Sequence, residues 1–381
     1  MNINVKDLLI KLINCKSVTP IDDGAIGIIV DILSKLNFEC HVLEFHGVKN
    51  LYARYGKKGQ NICFAGHTDV VPAGNVDWTL DPFKGEIKDG HLYGRGAVDM
   101  KGGIASFIGA IANFVQTNKD LSFSISVMIT GNEEGDSVGG VPDILKWLKE
   151  KNEKIDFCMM GEPSSVKKIA DAYKLGRRGS VNFVLNLSGI QGHIAEQEKP
   201  NNPIYKLAKL TTLLYEYKFD DGNKYFQPSR LQPSTFDVGN KTENIIPEKA
   251  ELRFNVRFNN EHKAIDIIET VKKLIEKFAK ENEVANYDLK YRISGEAFIS
   301  KKTNLHDLLE LSIEEITGNK PDANTTGGTS DLRFIVDICD NIVELGHINE
   351  TMHKKDERVL VEDLETLTKI YESWLNKIKS L

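Results

Sequence analysis

The sequence predicts an α/β protein in which helices flank a mixed central sheet, with a smaller unit inserted into the chain. Residues 1–177 alternate segments of helical and strand periodicity. Residues 179–293 instead follow the order β-α-β-β-α-β, which is that of a ferredoxin-like unit. Helix and strand patterns resume after this unit. We therefore expect a main domain from residues 1–177 and 292–381, and an inserted lid from residues 178–291.

The composition indicates a globular protein that does not bind nucleic acids. The 381 residues are 41% hydrophobic and 27% charged, and the net charge of −6 offers no basic surface for a nucleic acid. Small molecules and other protein chains are the expected partners. The N-terminal stretch "MNINVKDLLIKLINC" has the pattern of an amphipathic helix, not of a signal peptide. No apolar run approaches 18 residues, so we expect no membrane span.

The cysteines are expected to be buried free thiols. Their number is odd, their spacing is wide, and no CxxC pair occurs. Free thiols are typical of a reducing compartment, so we expect a cytoplasmic protein. The cysteines are Cys15, Cys40, Cys63, Cys158 and Cys339.

The first flank is expected to contain three helices and several strands. Apolar residues recur at helical spacing in the N-terminal stretch, in residues 22–36 and in "MKGGIASFIGAIANFV". Asp89-Gly90 predicts a hairpin turn within "GEIKDGHLYG". Short apolar runs predict the remaining strands, which are "NLYARYG", "NICFAG", "LSFSISVMIT" and "DFCMM".

The inserted unit and the second flank complete the prediction. The expected strands of the insert are residues 179–189, 234–240, 249–258 and 287–293, and its expected helices are residues 203–217 and 262–280. Pro203 suits the first turn of the earlier helix. In the second flank we expect helices at 304–317, 330–336 and 362–379, and a strand at "NIVEL".

The stretch "FAGHTDVVP" places polar side chains directly after an apolar strand. His67 and Asp69 are two residues apart, so they face the same side of an extended chain. An aspartate in this position can accept the ring N–H of the histidine and leave the other ring nitrogen for a metal. The alternative is a core histidine whose hydrogen bonds are satisfied.

The stretch "GRGAVDMKGG" allows three interpretations. It is a phosphate-binding glycine loop, a tight turn, or a turn that presents Asp99 ahead of the next helix. It lacks the spacing GxxxxGK[ST] and does not open a clear Rossmann unit. The turn that presents Asp99 is therefore favoured.

Three further stretches place acids or a histidine after apolar strands. "ITGNEEGDS" carries Glu133 and Glu134, "MMGEPSS" carries Glu162, and "NETMHKKDE" carries His353. Solvated loops with charged residues are the simple alternative. Adjacent side chains on an irregular loop point in different directions, however, so one glutamate can bind a metal while the other contacts a water.

These stretches together define a set of candidate metal ligands without sulfur. Imidazole and carboxylate ligands suit zinc or a similar first-row divalent ion in a catalytic site. Five ligands are too many for one tetrahedral zinc, so two ions that share a bridging carboxylate are expected. The candidate ligands are His67, Asp99, Glu134, Glu162 and His353.

Over nearly its whole length the chain resembles the dinuclear zinc amidohydrolases and aminopeptidases with an inserted lid domain. "HTDVVP", "GRGAVDMKGG", "NEEG" and "GEPS" are the general motifs of that superfamily. Other stretches are most similar to the branch that acts on N-succinyl-LL-2,6-diaminopimelate. These are "YKLGRRGSVNF", "GIQGHIA", "NIIPEKAELRFNVRF", "TGGTSDLRF" and "NETMHKKDE".

The resemblance implies a role for each candidate residue. It implies that His67 and Glu162 bind one ion, that Glu134 and His353 bind the other, and that Asp99 bridges the two. Zinc is the expected metal, with cobalt as the alternative. Asp69 would orient His67, and Glu133 would be the general base. In a homodimer, His193 of the lid would cross to the partner's active site and stabilise the oxyanion.

The implied substrate contacts lie in and near the lid, and taken alone the sequence singles out none of them. His193 would be an ordinary loop histidine and Arg257 an exposed strand residue. The implied reaction is hydrolysis of the amide bond to give succinate and LL-2,6-diaminopimelate, for lysine and diaminopimelate biosynthesis. The implied contacts are Arg178, Ser180, Asn244, Arg257, Gly328 and Thr329.

The chain departs from the family pattern at three places. Asn132 stands where an aspartate is common, Leu332 replaces a usual glycine, and "AEQEKPNNP" replaces a Tyr- and His-containing stretch. The alternatives are N-acetylornithine deacetylase, another N-acyl-amino-acid hydrolase or a carboxypeptidase. A non-catalytic metal-binding or interaction protein is the alternative of a different class.

Overall fold

The computed structural model describes residues 3–195, 201–284 and 286–380. The helices of these ranges are α1 Val5–Asn14, α2 Ala25–Lys35, α3 Gly102–Thr117, α4 Val141–Glu150, α5 Pro203–Glu216, α6 Ala264–Glu281, α7 Asn304–Thr317, α8 Leu332–Ile335 and α9 Val361–Lys379. The strands are β1 Glu39–Phe45, β2 Val48–Tyr55, β3 Asn61–His67, β4 Glu86–Lys88, β5 His91–Tyr93, β6 Ser124–Thr130, β7 Phe157–Met160, β8 Ala172–Lys174, β9 Gly176–Arg177, β10 Gly179–Ser188, β11 Gly192–His193, β12 Arg230–Asp237, β13 Ile245–Ile246, β14 Lys249–Phe258, β15 Asn286–Gly295, β16 Phe298–Ile299, β17 Asp322–Asn324, β18 Ile342–Glu344 and β19 Arg358–Leu360.

The chain divides into two compact units. The first contains Met1–Gly176, Ser300–Asn324 and Ser330–Leu381, and the second contains Arg177–Ile299 with Thr325–Thr329. The first unit is built on a mixed eight-stranded sheet in the order β1-β2-β6-β3-β7-β18-β8-β17. Within it, β6, β3, β7 and β18 run parallel to their neighbours in this series. Their carboxyl ends therefore lie at one edge of the sheet, which is where α/β proteins place ligand sites.

The core of the first unit packs α3 and α9 against the sheet. Phe64 of β3 stacks on Phe107 of α3 with ring centroids 4.0 Å apart, and Tyr371 of α9 meets Phe107 at 5.2 Å. The segment Ala97–Thr117 has the length and hydropathy of a membrane span, but 94% of its apolar window is buried within the protein. That burial explains its composition by core packing.

Glycines let three backbone segments touch beside this core. A Cβ added to Gly103 at the start of α3 would overlap the carbonyl oxygen of Gly161. A Cβ added to Gly346 would overlap the carbonyl oxygens of Gly161 and Glu162. Only glycine therefore allows α3 and the segment after β18 to approach the end of β7 so closely.

The second unit is a four-stranded antiparallel sheet with two helices. Its strand order is β12-β14-β10-β15, which is the ferredoxin-like arrangement for the chain order β-α-β-β-α-β. Its core combines alternate residues of the strands with one face of each helix, as in the stacked pair Phe183 and Phe254 with ring centroids 4.8 Å apart. A short ribbon of β11 and β13 belongs to the same unit.

Most predicted elements are present, one strand is shifted, and several elements were not predicted. The strand expected at 234–240 is β12, which begins four residues earlier at Arg230 and ends at Asp237. The elements that were not predicted are β1, α4 and the short strands β8, β9, β11, β13, β16, β17 and β19. β1 is an edge strand whose residues are all exposed or half-buried, so it has no buried face. Glu196 and Glu198, within one of the departures from the family pattern, lie outside the described residues.

Candidate metal centre

The candidate ligands converge because they follow parallel strands. His67 ends β3, Glu134 follows β6, and Glu162 follows β7. His353 lies beyond β18, after the short 3-10 turn Asn349–Thr351, and its backbone φ of 59° is in the left-handed region. Asp99 lies in a kinked turn, Ala97–Lys101, directly before α3, and its own backbone is extended with φ −122° and ψ 96°. These positions bring the side chains to the carboxyl edge of the sheet.

The first group of ligand atoms is formed by His67, Asp99 and Glu162, all buried. His67 Nε2 lies 3.1 Å from Asp99 Oδ1 and 3.5 Å from Glu162 Oε1. The other ring nitrogen, Nδ1, donates to the backbone carbonyl of Asp69 at 2.9 Å. That hydrogen bond keeps a proton on Nδ1, so Nε2 is the nitrogen that a metal would bind once Nε2 has released its own proton.

The second group is formed by Asp99, Glu134 and His353. His353 Nε2 lies 3.1 Å from Asp99 Oδ2 and 2.9 Å from Glu134 Oε1. Asp99 thus directs Oδ1 to the first group and Oδ2 to the second. In each group the ligand atoms lie within 4.8 Å of one another. All five predicted ligands fall in these groups, and one carboxylate is shared.

The carboxylate of Asp69 has a different set of partners from the predicted one. It lies 3.6 Å from His67 Nδ1, and the closer contact to that nitrogen comes from the Asp69 carbonyl. Instead, its two oxygens accept the backbone N–H groups of Glu133 and Glu134, each at 3.1 Å. The hydroxyl of Thr19 donates to it at 2.6 Å. Asp69 therefore contacts both the histidine and the turn that carries the glutamate pair.

Asn132, one of the departures from the family pattern, braces the same turn from within. Its amide Nδ2 donates to Asp136 Oδ1 at 3.0 Å and to the carbonyl of Val138 at 2.9 Å. Its backbone N–H donates to Thr130 Oγ1 at 3.3 Å. An aspartate has no amide donor for these two acceptors. The asparagine thus suits the partners that this chain supplies.

Burial and neighbouring charges shift the pKa values of the centre. Burial raises the pKa of Glu162 to about 8, and the charge of Asp99 adds to the rise. Burial also raises the pKa of Glu133, and the nearby charges of Asp331 and Glu162 raise it further. Burial alone would lower the pKa of His67, but its bonds to Asp99 and Glu162 raise it well above the ordinary value. Bonds to Asp99 and Glu134 raise the pKa of His353 to about 10.

These properties fit two divalent cations. The donor atoms are imidazole nitrogen and carboxylate oxygen without sulfur, the combination that suits zinc and similar ions. The carboxylates stand side by side in a buried place, where like charges are costly unless a cation offsets them. In one member, His67, Nε2 already faces the other ligand atoms, because Nδ1 donates to the carbonyl of Asp69.

The predicted substrate residues all belong to the second unit. Arg257 Nη1 donates to Thr329 Oγ1 at 2.9 Å, and Ser180 is the cross-strand neighbour of Arg257. Arg178 is half-buried, and its Nε has no hydrogen-bond partner among the described residues. Gly328 is exposed.

The predicted oxyanion residue lies in the ribbon of the second unit. His193 is exposed and pairs with Ile245 across β11 and β13. The N–H of Ile194 donates to the carbonyl of Asn244 at 3.1 Å. The ribbon thus brings two predicted residues, His193 and Asn244, into neighbouring positions.

Two further buried carboxylates lie beside the centre, and no local sequence pattern predicts their burial. Glu357 belongs to the quoted stretch "NETMHKKDE" but stands in a run of charges that is typical of a solvated surface; it is fully buried. Asp331 belongs to "TGGTSDLRF" and is also buried, and neither carboxylate oxygen has a hydrogen-bond partner in the described structure. Leu332 beside it is buried at the start of α8.

Comparison with known proteins identifies relatives over nearly the full chain. A relative from Pelagibacter ubique (strain HTCC1062), named succinyl-diaminopimelate desuccinylase, is 45% identical over 367 residues, which cover 95% of each chain. A relative of the same name from Wolbachia pipientis subsp. Culex pipiens (strain wPip) is 47% identical over 378 residues, 98% of this chain and 93% of the relative.

Solved structures confirm the predicted fold class. The M20 family metallo-carboxypeptidase Sso-CP2 from Sulfolobus solfataricus has a TM-score of 0.83 at 19% identity, over 100% of both chains. The YXEP protein of Bacillus subtilis, described as a dinuclear metal binding peptidase, has a TM-score of 0.70 at 16% identity, over 98% of this chain and 99% of that one. The sequence profile of peptidase family M20/M25/M40 matches residues 63–377. The chain therefore belongs to the peptidase family M20/M25/M40, whose dinuclear metal chemistry its two groups of candidate ligands suit.

Proposed function

We propose that the protein hydrolyses the amide bond of N-succinyl-LL-2,6-diaminopimelate and releases succinate and LL-2,6-diaminopimelate, for lysine and diaminopimelate biosynthesis in the cytoplasm. Its family makes it an amide hydrolase that acts on a small molecule. The relatives' shared name supports the substrate. The observation that carries the proposal is the sharing of Asp99 between two groups of imidazole and carboxylate ligands.

His67 and Glu162 would hold one divalent ion, and Glu134 and His353 would hold the other. Asp99 would bind both ions. Zinc is the proposed metal, and cobalt is the alternative. When bound, such ions polarise an amide carbonyl and lower the pKa of a water. His67 presents Nε2 to the ion because its Nδ1–H donates a hydrogen bond to the backbone carbonyl of Asp69. The buried carboxylates supply the negative charge that offsets the cations.

Glu133 is the proposed general base. It is adjacent to Glu134 but belongs to neither group of ligand atoms. The rise of its pKa through burial moves the carboxylate toward the pH at which a base is most effective. It would take a proton from the attacking water and deliver it to the nitrogen of the leaving amine. The hydrogen bond from its backbone N–H to Asp69 Oδ1 fixes its position next to Glu134, which is a proposed ligand.

The second unit, with proposed bounds at residues 178–291, would act as the lid and the dimer contact. Arg178 and Arg257 offer the forked cations that recognise carboxylates, of which the substrate has several. Ser180, Asn244, Gly328 and Thr329 would complete the substrate contacts. His193, exposed on its ribbon, would donate to the oxyanion in the partner subunit of a homodimer.

A metal titration with three substrates tests the proposed function. Metal-free protein should be inactive and should gain activity on succinyl-diaminopimelate as zinc is added up to two equivalents. N-acetylornithine and a dipeptide should be hydrolysed far more slowly. Faster hydrolysis of either would assign the chain to another activity of the superfamily. Metal binding without hydrolysis of any of the three would contradict the proposal.

The proposed dimer has its own test. His193→Ala and Glu133→Ala should each be inactive alone. If His193 acts in the partner's site, a mixture should regain about a quarter of the wild-type rate, since half of the dimers are mixed and each has one intact site. A mixture as inactive as its components would place His193 outside the partner's chemistry.

A further inference from the structure

Glu357 is a fully buried carboxylate that lies beside the candidate centre without being part of either group of ligands. Its exposure is 0%. It follows His353 by four residues and precedes β19. Among the described residues, both groups of candidate ligand atoms exclude it. A buried charge without a partner is very costly, so its contacts indicate what it does.

The partners of Glu357 are the turn that carries Asp99 and one arginine. Oε1 accepts the backbone N–H of Val98 at 2.8 Å and that of Asp99 at 3.1 Å. Oε2 accepts the N–H of Gly96 at 3.1 Å and Arg95 Nη1 at 2.7 Å. The carbonyl of Glu357 also accepts the N–H of Gly94 at 2.9 Å. One residue thus bonds to segment 94–99 at five points.

Arg95 in turn is held by other groups. Nη2 donates to the carbonyl of Pro72 at 3.3 Å, and the guanidinium lies over the ring of Trp78 at 5.0 Å. Hydrogen bonds from an arginine or from backbone N–H groups to a carboxylate are charge-assisted and strong. Glu357 and Arg95 together therefore form a rigid support beneath the turn.

The position of Asp99 must be accurate because its two oxygens face different groups. Oδ1 lies 3.1 Å from His67 Nε2, and Oδ2 lies 3.1 Å from His353 Nε2. A shift of the turn would withdraw one oxygen from its group. We propose that Glu357, paired with Arg95, is a positioning residue that fixes Asp99 between the two groups so that one carboxylate serves two ions. This proposal rests on the metal-bridging role proposed for Asp99.

Glu357→Gln tests the proposal with a side chain of the same shape. The amide nitrogen cannot accept the N–H bonds made to one of the two oxygens, so the turn should loosen. Binding of the second Co²⁺ should weaken between about 10- and 100-fold, as is typical when a partner of a metal ligand is changed. The magnetic coupling between two bound Co²⁺ ions, measured by electron paramagnetic resonance, should decrease. Neither measurement needs a substrate.

Asp171→Asn is the matched control. Asp171 also accepts three backbone N–H groups, those of Val166, Lys167 and Lys168, at 2.7, 2.8 and 3.1 Å. Its segment carries no candidate ligand. This variant should therefore bind both Co²⁺ ions within about twofold of wild type, since Asp171 is not a hydrogen-bond partner of any candidate ligand. Equal losses in both variants would overturn the positioning role.

A double variant separates positioning from folding. Glu357→Gln leaves Arg95 buried without its charge partner, which can prevent folding. Arg95→Met combined with Glu357→Gln removes that charge and keeps the stem's volume. The double variant should regain thermal stability but not affinity for the second ion. Recovery of affinity together with stability would overturn the proposal, as would wild-type protein that binds fewer than two ions. If wild-type protein binds two ions but hydrolyses no substrate, the proposed function is overturned and the positioning role of Glu357 is not.

Discussion

The two groups of candidate ligands share Asp99 but differ in their access to solvent. His67, Asp99 and Glu162 are all buried, whereas 43% of the His353 side chain is exposed in the second group. Burial makes uncompensated carboxylates costly, so the first group depends more strongly on a bound cation. The exposed histidine gives the second group a route for exchange with solvent. The comparison indicates two ions that differ in affinity and exchange rate.

The largest effect is expected on kcat, and it distinguishes the roles of the adjacent residues Glu133 and Glu134. Glu133→Gln should lower kcat between about 100- and 10,000-fold, the usual contribution of a general base. Its metal content should equal that of wild type, because Glu133 belongs to neither group. Glu134→Gln should lose the ion of the second group. Equal metal loss in the two variants, measured by elemental analysis and steady-state kinetics, would falsify this division of roles.

The next effect compares the histidines of the two groups. His67→Ala should weaken the more slowly exchanging ion about 100-fold or more, since removal of a ligand exceeds the effect of its outer partners. His353→Ala should weaken the faster one and spare the slower. Competition with a chelator, followed over time, resolves the two ions. Loss of the same ion in both variants would show that the difference in exposure does not control exchange.

The pH dependence of metal binding should also differ between the groups. The first group must release protons from His67, whose pKa is raised, and from Glu162, whose pKa is about 8. Both protons are bound below these pKa values, so affinity falls as pH falls below about 8. The second group must release one proton, from His353, whose pKa is about 10. Between pH 8 and 6 affinity should fall up to about 100-fold per pH unit in the first group and about tenfold in the second. Isothermal titration at several pH values measures both slopes, and parallel slopes would contradict the assignment.

The smallest expected effect concerns the turn beside the second group. Asn132→Asp places an acceptor against Asp136 and the carbonyl of Val138. Asn132 is buried although its two partners are exposed, and loss of the two hydrogen bonds should lower the free energy of unfolding by about 1–3 kcal/mol. Adding Asp136→Asn restores one donor and should recover part of that loss. Chemical denaturation of metal-free protein measures both, and no recovery in the double variant would exclude this pairing.

The sequence predicted those features whose pattern lies within a single continuous segment. Long periodic segments such as α6 and β14 were predicted because one face of each is buried. Four of the five ligand stretches were found because they follow apolar strands, and the fifth, which carries Asp99, because it is a glycine-rich turn. β1 was not predicted because neither of its faces is buried. The burial of Glu357 was not predicted because it depends on contacts with residues about 260 positions away, which a local run of charges does not show.

The glycine contacts beside the core have a consequence for mutational scans. Gly103 and Gly346 take no part in the proposed chemistry, yet any side chain at either position would push its segment away from the segment that carries Glu162. A screen scored on growth or activity would rank these glycines with the ligands themselves. Scoring cellular abundance in parallel would separate the two classes, because loss of a ligand spares the protein level while a displaced backbone lowers it.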